Sequence, residues 1–314
     1  MSGAPPIGAA LWPAVAVLTL LWGLCWGSFL NVLIYRLPWG MSVVSPGSAC
    51  PSCARSIKPW ENIPVLSWIF LRGRCKGCAV EISPRYPLVE LLAGVWSLVL
   101  AWLTLRPALL SPVGEALLVS DPWAQLGTPL GLWLWYQLFV YGLIVLTFID
   151  LDYTYLPDEI TIPGLWIALL GAGLLEPISL LTQLIGAAAG YATIWLLRGI
   201  GWLLFRREAM GMGDAKLLAF IGAFIGWEGL PLILFLSAAQ GVLAAFLGLL
   251  YQRLTGRADG LTMSSEELDE RFGEESPEGV RSHLVIPYGP FLALAALEVF
   301  VVGDGALSLL ILGL

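Results

Sequence analysis

Two carboxylates stand where an apolar chain can least accommodate them. Asp150 ends the run "GLIVLTFID", and Asp214 opens "AKLLAFIGAFIG" directly after the glycines of "GMG". Ionisable groups at the edge of such runs are rare, and they usually face the protein interior or a water-filled cavity. Two carboxylates brought together share a proton, because like charges at short range cannot both ionise easily. The ionised partner then acts as general base on a water, and the protonated one donates to a carbonyl oxygen. This is aspartic peptidase chemistry, and it needs no serine, cysteine, histidine or metal nucleophile. The only histidine, His283, lies in a polar stretch and reads as a surface residue. A Ser–His triad or a histidine zinc-hydrolase site is therefore poorly supported.

Two further acids lie close to Asp150. Asp152 is two positions on and points elsewhere on a helix. Asp158 follows Pro157 and precedes an apolar run, which suits a helix N-cap. Asp150 is thus preferred over Asp152 as the partner of Asp214. Gly211 and Gly213 leave room for a neighbouring helix or an extended substrate backbone beside the carboxylate. Lys216 reads as an anchor at the membrane interface, and Glu90 as an unusual acid just inside an apolar run. Asn31 and Gln240 read as interhelical hydrogen-bond partners.

The second constellation is "CPSC" and "CKGC", with twenty-one residues between them. Cys50, Cys53, Cys75 and Cys78 have the spacing of two thiolate pairs that close a tetrahedral Zn2+ site. Nearby Arg and Lys residues offset the thiolate charge. A loop of about fifty residues cannot bury much core alone, and metal ligation supplies the missing stability. The fifth cysteine, Cys25, falls in an apolar run and reads as a small core residue.

Membrane helices must position both constellations. The chain of 314 residues is 58% hydrophobic and 12% charged. Its mean hydropathy is +0.82. Apolar runs occupy about 13–35, 87–105, 130–149, 160–176, 178–205, 215–228, 230–251 and 285–312. Roughly 20 apolar residues cross a bilayer, so the fold class expected is an all-α polytopic membrane protein with about eight transmembrane helices. No Lys or Arg precedes Arg36, which argues against a cleaved secretory signal. Placing the loop 36–86 in the cytoplasm puts fifteen of sixteen Lys/Arg on that side, with Arg106 alone outside. Asp150 and Asp214 then meet the same, cytoplasmic membrane surface. The formal net charge is −7, with seven of the sixteen Lys/Arg between 36 and 86, and no nucleic-acid partner is expected. The stretch 252–284 is polar and acidic, and reads as a solvated loop.

Taken together, these residues resemble the bifunctional type IV prepilin peptidases. The likeness rests on "GSFLNVLIYRLP", "CPSC", "IKPWENIPVLSW", "RGRCKGC", "RYPLVELL", "IDLDYTYLPD", "GMGDAKLLAFIGAFIGW" and "IPYGPFLALAA". It implies a membrane aspartic endopeptidase whose catalytic residues are Asp150, followed by Pro157 and Asp158, and Asp214. The family removes the basic leader of type IV prepilins and pseudopilins at the cytoplasmic face, then methylates the new N-terminus using S-adenosylmethionine. The expected division is a first transmembrane helix in 1–35, a cytoplasmic zinc-binding domain in 36–86, and a peptidase domain in 87–314 that includes the acidic loop. A peptidase without methylation and a proton-coupled transporter are the competing expectations. Beyond the prepilin, the partner expected is membrane lipid of the inner membrane.

Overall fold

The computed structural model describes residues 7–111, 122–175, 179–206, 211–255, 262–263, 283–284 and 287–303. Among these residues eight helices carry the architecture: α1 (Ile7–Arg36), α3 (Arg85–Leu110), α4 (Pro122–Tyr153), α5 (Asp158–Leu174), α6 (Leu180–Phe205), α7 (Met212–Ile225), α8 (Leu230–Thr255) and α9 (Gly289–Gly303). A five-residue helix α2 (Leu66–Phe70) lies in the cysteine loop. The only strands among the described residues are two-residue pieces, Thr262–Met263 against His283–Leu284. The fold is otherwise helical, as the apolar runs require. Most of the acidic stretch 252–284 lies outside the described residues, as does the side chain of His283.

Each expected apolar run coincides with one of the eight helices, and among the described residues five are long and apolar enough to cross a membrane. The other three are α5, α7 and α9, with 17, 14 and 15 residues. At 1.5 Å per residue, α7 reaches roughly 21 Å, short of the ~30 Å hydrocarbon. It does not depend on lipid for cover. Every residue from Leu217 to Phe224 is buried, and α7 packs on α4, α5, α6 and α9. Among the described residues, five helices of spanning length and three shorter ones thus stand where eight spans were expected.

Helix pairs close over glycine. Gly23 and Gly27 of α1 face Ala93, Gly94 and the Glu90 backbone of α3. A Cβ at Gly27 would come 2.6 Å from the Glu90 Cα. The same device recurs where Gly186 and Gly190 of α6 meet the backbone of Gly222 and Leu218 in α7. Small residues let backbones approach where no hydrophobic effect drives helices together in lipid. Outward faces remain apolar: Leu181, Leu203, Phe235 and Val242 are all about two-thirds or more exposed. Cys25 belongs to such a face. It is exposed, not core, because the Gly23–Gly27 stripe takes the inward side of α1. Asn31 donates to the Tyr86 carbonyl at 3.0 Å, and Gln240 of α8 to Glu298 of α9 at 2.7 Å. Both join separate elements, as their positions led one to expect.

Candidate active site and metal centre

Asp150 lies one turn from the C-terminal end of α4 and is buried. Asp214 lies in the first turn of α7 and is half-buried. Sixty-four positions apart in the chain, they lie close enough for the Asp214 charge to act on Asp150. The two helices enter from opposite chain directions, so the end of one meets the start of the other at one end of the bundle.

Local structure explains the glycines. Gly211 caps α7, and its backbone N–H reaches the Asp214 carboxylate three residues on. An acid at this third position serves one of the free N–H groups of the first turn. Gly213 has another task. A Cβ there would meet the Leu156 side chain at 3.1 Å, so the bare position admits the connection between α4 and α5. That connection turns at Thr154, whose φ of 49° is left-handed.

The other acids of the segment are occupied elsewhere. Asp152 forms an ion pair with Arg85 at the start of α3. Asp158 is the first residue of α5, the capping position being Pro157. It therefore makes no N-cap, and binds Lys216 Nζ through both carboxylate oxygens at 2.6 and 2.8 Å. Lys216 is thus more than an interface anchor: it ties α5 to α7 one half-turn past Asp214.

A third segment enters the site that spacing did not single out. The Gly289 N–H, at the start of α9, donates to Asp150 Oδ2 at 3.1 Å. Tyr288 beside it is near enough to feel the Asp214 charge, and its hydroxyl lies 2.6 Å from Ser237 Oγ of α8. The "YG" pair had appeared in the sequence as part of a family likeness without any assigned task.

The four cysteines of the loop converge. Their Sγ atoms all lie within 4.8 Å of one another, with Cys50 and Cys78 at 3.8 Å. Tetrahedral Zn–S bonds of about 2.3 Å put ligand sulfurs about 3.8 Å apart, so the set fits zinc. Two equivalent turns build it. Ala54 N–H donates to the Cys50 carbonyl and Ala79 N–H to that of Cys75, both at 2.9 Å. Ala54 and Ala79 take left-handed φ values of 56° and 58°. The N–H groups of Cys78 and Gly77 pull the Cys75 thiol down to about 6, towards the thiolate that binds metal. Around the sulfurs, Glu61 accepts from Arg55 at 2.9 Å and lies 3.6 Å from Lys76. The Arg55 bond holds the Glu61 carboxyl below its usual range.

The loop docks at the same end of the bundle as the aspartates. Glu90 of α3 accepts the Val65 N–H at 2.6 Å. Val65 has φ 61°, a strained value for a β-branched residue, and this buried acceptor holds it there. Trp39 donates to the Tyr153 hydroxyl at 3.2 Å, three residues past Asp150.

With this geometry in place, the sequence can be set beside known proteins. The bacterial peptidase A24 N-terminal domain matches residues 21–104, and the type IV leader peptidase family matches residues 137–249. The latter match contains both aspartates. A Myxococcus xanthus protein named prepilin leader peptidase/N-methyltransferase is 36% identical over 336 residues, 93% of this chain and 91% of that protein. The chain belongs to the type IV leader peptidase family. Proteins of the same name from Aeromonas hydrophila and Pseudomonas aeruginosa are 37% and 33% identical, again over 91% and 93% of this chain and 90% and 91% of theirs. No solved structure matches. The family's A24 N-terminal match spans the whole cysteine loop, so metal centre and aspartate pair both lie in family-matched segments.

Proposed function

We propose that this chain is a multi-pass membrane aspartic endopeptidase and N-methyltransferase. It removes the leader of type IV prepilins or pseudopilins and methylates the new N-terminus. The observation that carries the peptidase is the meeting of Asp150 and Asp214 at one end of the bundle. One carboxylate takes a proton from the attacking water, and the other donates to the scissile carbonyl. Both then exchange roles as the tetrahedral intermediate collapses and the amine leaves. No metal takes part in that step.

The remaining assignments extend the same reading. Cys50, Cys53, Cys75 and Cys78 hold a structural Zn2+, and the loop 36–86 is a domain of its own between the first helix and the peptidase domain 87–314. The distribution of Lys and Arg supports a cytoplasmic position for loop and aspartates in the inner membrane. A prepilin anchored by its apolar helix then presents its leader junction at the depth of the pair. S-adenosylmethionine supplies the methyl group. A cavity of about 320 Å³ between α1 and the loop is of small-molecule size. Its lining sets Ser28, Arg36 and Asn62 against Phe29 and Val32, a mixture that suits this amphipathic donor. Equilibrium binding of the donor to a Ser28→Trp protein, which fills the cavity, tests that placement: unchanged affinity rejects it.

The experiment for the peptidase is cleavage of a synthetic prepilin by purified protein, followed by mass spectrometry. Asp214→Asn and Asp150→Asn proteins should release no leader. Full cleavage by either one removes the proposed mechanism. The same spectra separate a peptidase alone from the bifunctional enzyme, since methylation adds a fixed mass to the product.

A further inference from the structure

We infer that the start of α9 is a third, positioning part of the peptidase site, with the Gly289 N–H setting the orientation of Asp150. This rests on the reading of Asp150 and Asp214 as the catalytic pair. Asp150 sits near the C-terminal end of α4, where the helix presents its negative pole. The opposing N-terminus of α9 brings an N–H to Oδ2. That bond occupies one carboxylate oxygen and leaves Oδ1 for the attacking water. It thereby fixes which face of the carboxylate works.

The position tolerates only glycine. A Cβ at 289 would lie 2.5 Å from Asp150 Oδ2 and 3.2 Å from its Cγ. The α9 side cannot yield easily. Behind Gly289, Leu292, Ala293, Ala295 and Ala296 are buried against the core. Farther along α9, Glu298 is held by Gln240. At the near end, the Tyr288 hydroxyl is fastened to Ser237, which is itself fully buried and bonded to the Leu234 carbonyl. An added methyl must therefore move the Asp150 carboxylate, or α9 together with Tyr288. The Tyr288–Ser237 bond is the tether that sets how far the Gly289 N–H reaches.

The test uses the full-length protein in detergent or nanodiscs, with two substrates: a synthetic prepilin, and the same pilin already cleaved. Gly289→Ala should lower kcat for leader removal about a hundredfold, the scale of a 1 Å misplacement, with KM within about twofold. Methylation of the cleaved pilin should stay at the wild-type value, whereas the thermal unfolding midpoint should fall with the strain of the added methyl. Tyr288→Phe keeps the N–H and loses the tether, so its kcat should fall about tenfold, again for cleavage alone. Wild-type cleavage by Gly289→Ala overturns the inference. So does a Tyr288→Phe enzyme that cleaves normally, which decides the matter should Gly289→Ala fail to fold. Asp150→Asn runs alongside. If it cleaves at full rate, the catalytic reading itself fails; if it is dead while Gly289→Ala is normal, only the positioning role is lost.

Discussion

The cysteine loop and the aspartate site lie at one end of the same bundle and are built in opposite ways. All four sulfurs come from two short turns, each closed by its own carbonyl-to-N–H bond and its own left-handed alanine. A metal held at their centre would make the loop's stability a local matter. The aspartate site has no local unit. Asp150, Asp214 and Gly289 come from α4, α7 and α9, and each reaches the site only because helices pack elsewhere. The difference is one of where the free energy resides: in ligation for the first, in helix packing for the second.

Breaking each region by itself should separate them. The largest effect belongs to the carboxylates. Asp150→Asn or Asp214→Asn should lower cleavage by roughly a thousandfold or more, the range expected when acid–base groups are removed. The metal content of these proteins, measured by atomic emission, should stay at one zinc per chain. Metal loss with either variant would show that the two regions are not independent.

Next comes the metal itself. Cys50→Ser, or a strong chelator, should remove the zinc and expose the loop to trypsin at Arg55, Arg72, Arg74 and Lys76. Lowering the pH should do the same, because protons compete with the metal for the thiolates. Helical circular dichroism of the bundle should survive. If the bundle melts with the loop, the contrast drawn above is wrong.

Smaller effects lie at the seam. Glu90→Leu leaves the Val65 N–H without its acceptor, a loss of about 1–3 kcal/mol in loop docking. Hydrogen exchange at residues 63–67 should accelerate while exchange in α7 does not change. Smallest of all is Lys216→Met. Its ion pair with Asp158 is partly exposed, with side chains 34% and 48% accessible. Stability should fall by at most about 1 kcal/mol, read from the thermal midpoint. A larger drop would mean that the link between α5 and α7 holds the peptidase site together.

Much of this was legible in one dimension. The cysteine spacing led to a tetrahedral sulfur cluster, because a C-x2-C turn presents both sulfurs whatever surrounds it. The apolar runs located the helices, since backbone in lipid must satisfy its own hydrogen bonds. Other features were not legible. The run 215–228 was read as one more membrane helix, and its enclosure by four helices was not evident. Cys25 looked like core and faces outward, because hydropathy does not distinguish lipid from protein interior. Asp158 looked like a cap, and its partner Lys216, 58 positions away, was not evident.

What the amino-acid order alone determined was chemistry that repeats at short range: apolar length, thiol pairs, and a carboxylate after G-x-G. Only the tertiary structure decided that Asp150 comes within reach of the Asp214 charge, and that Gly289, 139 positions from Asp150, ties Asp150 to the last helix. The physical reason is distance along the chain. A turn's geometry is set by a few dihedrals, whereas a contact across the bundle depends on every helix that packs between.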